Sequence, residues 1–146
     1  MIVQTIQLSL APVFVLVAIG NILNILSTRL GRVVDRARVL QGLHIDTEGP
    51  AHDRVVREIR VVDRRIGIIT GAIRIMVLSG LSIGTTIVLL FLDGLAGIDL
   101  HIPAGVTFLG SVVLLLAALV LFLRETQIAA DALRIPRDYL ELEREI

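Results

Sequence analysis

Residues 7–35 read QLSLAPVFVLVAIGNILNILSTRLGRVVD, an apolar run of membrane length that ends among arginines. Along this run every seventh residue is polar or aromatic: Gln7, Phe14, Asn21, Thr28 and Asp35. Side chains with this spacing lie on one face of a helix that supercoils with its neighbours. In hydrocarbon we expect such a face to turn away from lipid, towards another helix or towards water.

The composition is that of a membrane protein. Of 146 residues, 55% are hydrophobic and the mean hydropathy is +0.85. A soluble domain of this size has no interior large enough for so much apolar surface. The chain has no cysteine, which excludes disulfides and cysteine nucleophiles, and its three histidines form no zinc-hydrolase spacing. We therefore predict no enzyme, cofactor or metal site, and no nucleic-acid partner or small-molecule substrate.

Three segments, 6–28, 66–92 and 104–123, are long and apolar enough to cross a bilayer of ~30 Å. We interpret residues 1–146 as a single membrane domain. No basic residue precedes the first segment, so we predict a retained span and not a cleaved signal. The connection 29–65 holds nine arginines, the connection 93–103 none, and the tail 124–146 four. The positive-inside rule then predicts an external N-terminus and a cytoplasmic C-terminus.

The connection 29–65 contains a repeated sequence, RVVDR, at 32–36 and again at 60–64, on either side of turn-forming residues. This pattern predicts that the first two membrane helices extend into the cytoplasm and fold back as an antiparallel helical hairpin. Asp35 is then expected to face the region of Arg60, and Asp63 to face Arg32. Five hairpin residues are candidates for ion pairs or for contacts with anionic lipid headgroups: Arg32, Arg36, Arg38, Arg60 and Asp63. The predicted fold class is an all-α integral membrane protein with three transmembrane helices.

The second span carries two GxxxG patterns, which point to roughly opposite faces and predict packing on both sides: Gly67 with Gly71, and Gly80 with Gly84. Arg74 is the one charged residue inside a span. It either snorkels to the cytoplasmic edge or lies deeper and pairs with Glu125, at the end of the third span. The sequence leaves both alternatives open and favours snorkelling.

The short outer connection contains Asp93, Asp99 and His101, three donors that could meet a cation but are more often simply solvated. At the other end of the chain, the third helix is expected to continue through residues 124–134. Pro136 then breaks it, and residues 137–146 could form a short amphipathic helix near the membrane surface.

Three stretches together resemble a known family: LAPVFVLVAIGNILNILSTRLGRVVDRARVL at 10–40, RVVDRRIGIITGAI at 60–73 and LVLFLRETQIA at 119–129. The chain is similar, over roughly residues 5–130, to the small bacterial membrane proteins grouped as domain of unknown function 2721. The resemblance implies a multi-span protein of the bacterial plasma (inner) membrane. It implies no activity and no functional residues.

Two functions of different classes fit these features. The first is a homo-oligomer that forms an ion-conducting pore lined by the first helix, through Gln7, Phe14, Asn21, Asn24, Thr28 and Asp35. The alternative is a non-catalytic membrane scaffold or accessory subunit in which the same residues only pack helices together. A third hypothesis, lipid binding or sensing, depends on the arginine-rich hairpin alone.

Overall fold

The computed structural model describes residues 2–132, and these residues form three long α-helices. Helix α1 spans Ile2–Asp46, α2 spans Gly49–Ala96 and α3 spans His101–Ala132. Each predicted span lies within one of them, and all three are long and apolar enough to cross a membrane. The prediction of an all-helical protein with three such helices is therefore confirmed. The proposed tail helix at 137–146 lies outside the described residues.

Local chemistry explains where the helices end. The Thr47 hydroxyl donates to the carbonyl of Leu43 (2.7 Å) at the end of α1, and proline in the first turn begins α2. At the other end of α2, Gly97 takes a left-handed conformation (φ 66°) and donates its N–H to the carbonyl of Asp93. The Asp93 carboxylate accepts the N–H of Leu100 (2.9 Å), which holds the short connection to α3.

Helices α1 and α2 lie side by side near the connection at 47–48. The rings of His44 and His52 are 4.5 Å apart, and Arg36 donates to the carboxylate of Glu58 (2.7 Å). Asp35 instead forms an ion pair with Arg38 on its own helix (3.7 Å). Neither Asp35 with Arg60 nor Asp63 with Arg32 forms an ion pair within residues 2–132; the ion pair between the two helices in this region is that of Arg36 with Glu58. The expectation that these residues face each other stays a prediction.

Helix α2 lies at the centre, with α1 and α3 packed against it and in contact with each other at few points. Buried residues recur every seventh position, the pattern of supercoiled helices. On α1 they are Pro12, Ile19, Leu26, Val33 and Leu40. On α2 they are Val62, Ile69, Met76 and Ile83 in one series, and Ala72, Ser79 and Thr86 in a second. On α3 they are Ala104, Ser111, Ala118 and Glu125.

The interface between α2 and α3 is built from small and hydroxyl-bearing residues. Ser79 donates to the carbonyl of Ser111 (2.7 Å), and Ser82 donates to the carbonyl of Thr107 (2.8 Å). The hydroxyls of Thr86 and Thr107 lie 2.8 Å apart. These short side chains let two backbones approach closely and satisfy their own polar groups in the apolar environment.

The glycines of α2 divide between its two partners. A Cβ at Gly71 would meet Leu121 of α3 at 3.8 Å, and a Cβ at Gly80 would meet Ile19 of α1 at 3.7 Å. Gly67 and Gly84 have open space beside them. One glycine of each GxxxG pair therefore packs against a neighbouring helix, on opposite sides of α2.

Most of the apolar surface of the three helices is not covered by their packing against one another. Only 17%, 22% and 11% of the most apolar stretches of α1, α2 and α3 are buried. In water, exposed apolar surface on this scale would drive aggregation. In a bilayer the same surface contacts acyl chains and is not exposed to water. The fold is that of a membrane protein.

Candidate functional site

A buried carboxylate joins the three helices at one end of their apolar segments. Glu125 of α3 is fully buried, and its two oxygens accept from arginines of the two other helices. Arg29 of α1 donates to Oε2 through Nη1 at 2.6 Å. Arg65 of α2 donates to Oε1 through Nε at 3.0 Å and through Nη2 at 2.8 Å. We call Arg29, Arg65 and Glu125 the arginine–glutamate clasp.

Arg29 makes further contacts with α3. Its Nη1 also donates to the hydroxyl of Thr126 (3.2 Å), and that hydroxyl donates to the carbonyl of Phe122 (2.9 Å). The guanidinium carbon lies 5.0 Å from the centre of the Phe122 ring, within cation–π range. These contacts attach α1 to α3 at a point where the two helices have few others.

The clasp lies at the boundary between apolar and polar sequence on all three helices. Arg29 directly follows the first predicted span, which ends at residue 28, and Arg65 directly precedes the second, which begins at 66. Glu125 lies two residues after the third, which ends at 123. A carboxylate removed from water needs such partners, because an unpaired buried charge costs several kcal/mol. One negative and two positive charges meet here, so the clasp carries a net charge of +1.

Arg74 and Glu125 are not partners, contrary to the pairing weighed from the sequence. Both oxygens of Glu125 are occupied by Arg29 and Arg65, and Arg74 is exposed. Arg74 lies nine residues beyond Arg65 on α2, about 13 Å further along the helix axis. Snorkelling of Arg74 stays a prediction.

Arg29 and Arg65 were missed as site residues because arginines beside a span are common at the cytoplasmic boundary. One signal did point to Glu125. It continues the seven-residue series of Ala104, Ser111 and Ala118, which places a carboxylate on the packed face of α3. A charge on such a face requires a partner from a facing helix.

The series of polar and aromatic residues on α1, which we call the polar stripe, lies on the side of α1 opposite to the residues that pack in the core. Residues two positions apart differ by about 200° around a helix, which separates Phe14 from Pro12 and Asn21 from Ile19. All residues predicted to line a pore or an interface are exposed in the folded chain: Gln7, Phe14, Asn21, Asn24, Thr28 and Asp35. Neither α2 nor α3 covers this stripe. The Thr28 hydroxyl donates to the carbonyl of Asn24 (2.9 Å) on its own helix.

The remaining candidates divide between the two ends of the molecule. Arg36 pairs with Glu58 with both side chains about half exposed (51% and 44%), while Arg32, Arg60 and Asp63 make no ion pair within residues 2–132. At the connection between α2 and α3, ligand atoms of Asp93, Asp99 and His101 lie within 4.8 Å of one another. Their carboxylates already accept the backbone N–H groups of residues 100 and 101. These hydrogen bonds explain why the three side chains lie together: the carboxylates hold the backbone of the connection between α2 and α3.

Comparison with known proteins identifies the family. A search of curated proteins and of solved structures finds no significant match. The family model described as "Protein of unknown function (DUF2721)" matches residues 9–135, which include every residue of the clasp and most of the polar stripe. The match covers most of the chain and confirms the resemblance noted in the sequence. The protein therefore belongs to the DUF2721 family.

Proposed function

We propose that this protein is a homo-oligomer of the bacterial inner membrane whose copies meet through the exposed stripe of α1, and that this stripe lines an ion-conducting pore. The exposure of Gln7, Asn21, Asn24 and Thr28 on the side of α1 away from its core carries the proposal. Amide groups exposed to acyl chains lose their hydrogen bonds to water, so a neighbouring copy or a water-filled axis is the favourable surrounding.

The clasp supports this arrangement by limiting how α1 can turn. A rotation of α1 that buried the stripe against α2 would withdraw Arg29 from the carboxylate of Glu125. It would also expose Leu26 and Ile19, which now pack in the core. Burial of the stripe therefore requires a surface outside the protomer.

The proposed membrane orientation places the N-terminus outside and residues 29–65 in the cytoplasm. Nine arginines lie in that connection, and the connection between α2 and α3 at 97–100 has none. In this orientation the ends of α1 and α2 beyond the clasp form the cytoplasmic hairpin. Asp35 would stand at the cytoplasmic mouth of the pore, and Phe14 would form a constriction nearer the outer face.

The second candidate function is a membrane scaffold in which the stripe packs against a neighbouring copy and nothing passes. The hydrogen bond from Thr28 to the carbonyl of Asn24 favours it, because that hydroxyl is satisfied without water. Ala11 and Ala18 lie beside the stripe and are exposed, and small residues let neighbouring helices approach. Exposed arginines such as Arg32 and Arg38 would contact anionic headgroups in either case.

Cysteine cross-linking tests the shared interface directly, since the chain contains no cysteine of its own. Asn21→Cys in native membranes should form a disulfide between copies on mild oxidation. Val113→Cys, exposed on α3, is the matched control and should remain monomeric. If the two variants cross-link equally, or Asn21→Cys does not cross-link, the stripe is not the interface.

Flux measurements separate the pore from the scaffold. Purified protein in liposomes should dissipate an ion gradient, and Asn21→Leu should change the flux while oligomer size by light scattering stays constant. Val113→Leu should change neither. Absence of flux together with a smaller oligomer for Asn21→Leu would identify the scaffold, and a wild-type monomer without flux would overturn both proposals.

A further inference from the structure

A groove between α2 and α3 opens on the side of these helices beside the clasp. Its volume is about 450 Å³. Its lining combines aliphatic and polar side chains: Ile68, Leu121, Ile128, Arg64, Arg124, Gln127 and Asp131. The residues that line the groove belong to α2 and α3, so the groove has no part in the arrangement proposed above, which uses the stripe of α1.

The two arginines of the groove are free to bind an anion. Arg64 and Arg124 are exposed, and neither forms an ion pair within the described chain, 2–132. Each directly precedes a residue of the clasp, Arg65 on α2 and Glu125 on α3, so the backbones that carry them are held together. Asp131 also borders the groove, seven residues beyond Arg124 on α3, which leaves a net charge of +1 along the lining.

The groove changes character along the membrane normal. Towards the middle of the apolar segments, Arg64 is followed on α2 by Ile68, and Arg124 is preceded on α3 by Leu121. Further towards the membrane side, a Cβ at Gly71 would lie in ordinary contact with Leu121, at 3.8 Å. The lining is thus aliphatic on the membrane side and cationic at the membrane boundary, with Gln127, Ile128 and Asp131 beyond the arginines. The aliphatic and cationic parts follow the order in which a phospholipid presents its acyl chain and its phosphate.

We propose that the α2–α3 groove is a specific site for one phospholipid with an anionic headgroup. Arg64 and Arg124 bind the phosphate oxygens, and Gln127 provides a further hydrogen-bond donor. An acyl chain lies along Ile68 and Leu121. Arginine suits this role because its planar fork of donors matches the geometry of phosphate. The site differs from the general attraction of anionic lipids to exposed arginines such as Arg32 and Arg38, because its two arginines stand beside the aliphatic side chains Ile68 and Leu121.

Native mass spectrometry of the full-length, delipidated protein tests the site by counting bound lipids during titration. Wild type should bind one phosphatidylglycerol per protomer in preference to phosphatidylcholine. The double variant Arg64→Gln/Arg124→Gln should bind phosphatidylglycerol about 30-fold more weakly. The matched control Arg32→Gln/Arg38→Gln removes the same charge from exposed positions of α1 and should change the affinity less than threefold. Equal losses in both double variants, or no preference for phosphatidylglycerol, would overturn the proposal.

A second pair of measurements distinguishes a lipid from a free phosphate ion. Ile68→Trp fills the aliphatic part of the groove and leaves both arginines in place, so it should weaken phosphatidylglycerol binding at least tenfold. Excess inorganic phosphate should not displace the lipid. If phosphate displaces it and Ile68→Trp binds as wild type does, the arginines bind free phosphate and the lipid assignment is wrong. If the double variant lowers the unfolding midpoint, the titration is done with the single variant Arg124→Gln.

Discussion

Replacing Glu125 with glutamine removes the negative charge of the arginine–glutamate clasp and almost preserves the volume of the side chain. Glu125 is fully buried, while Arg29 and Arg65 remain 35% and 22% exposed. Glutamine keeps one oxygen that can accept from Arg65, but its amide group would point a donor at Arg29. Two guanidinium groups would then share a site with no anion between them.

The expected loss of stability follows from burial. Removing one partner of a fully buried ion pair destabilises a protein by about 3–5 kcal/mol. Here water can reach both arginines in part, and glutamine retains one acceptor, so we expect about 2–3 kcal/mol for Glu125→Gln. The pair Arg36–Glu58 provides a matched control, since its side chains are 51% and 44% exposed. Glu58→Gln should cost less than about 1 kcal/mol.

Reversible unfolding of the full chain in mixed micelles, followed by circular dichroism as the denaturing detergent is raised, measures both variants in one assay. The double variant Arg65→Gln/Glu125→Gln should lose less free energy of unfolding than the two single variants lose together. The reason is that it leaves one unpaired arginine in the site, whereas Glu125→Gln leaves two. Equal losses for Glu125→Gln and Glu58→Gln, or strict additivity in the double variant, would refute the reasoning from burial.

The packing between helices leads to two further predictions, both measured as shifts of the thermal unfolding midpoint in detergent. Ser79→Ala removes a buried hydrogen bond to the backbone of α3 and should lower the free energy of unfolding by about 0.6–2 kcal/mol. Thr85→Val is the control: Thr85 is exposed and bonds within its own helix, so its replacement should lower the free energy of unfolding by less. Gly94→Val would drive a side chain into Thr5 of α1 and should cost about 1–3 kcal/mol, while Gly84→Val, which meets open space, should leave the midpoint unchanged.

Much of the architecture is encoded locally. The spans at 6–28, 66–92 and 104–123 follow from runs of apolar residues, and each lies within one observed helix. Helix ends also follow from local chemistry, as at Gly97, where a left-handed conformation suits a residue without Cβ. The two glycine pairs of α2 indicated packing on both of its sides, and Gly71 and Gly80 lie against α3 and α1.

What the amino-acid order could not decide is which face of α1 packs and which charges meet. The series through Asn21 and the series through Ile19 have the same seven-residue spacing, and only the folded chain shows that Ile19 faces the core. Glu125 pairs with Arg65, 60 positions away in the sequence, and with Arg29, 96 positions away. The chain contains fourteen arginines, and the sequence does not show which of them reach this carboxylate. The physical reason is the solvent: acyl chains receive an apolar face as readily as another helix does, so hydrophobicity sets the depth of each helix. Its rotation and its partners depend on close packing and on the satisfaction of buried charge, which exist only once the three helices are together.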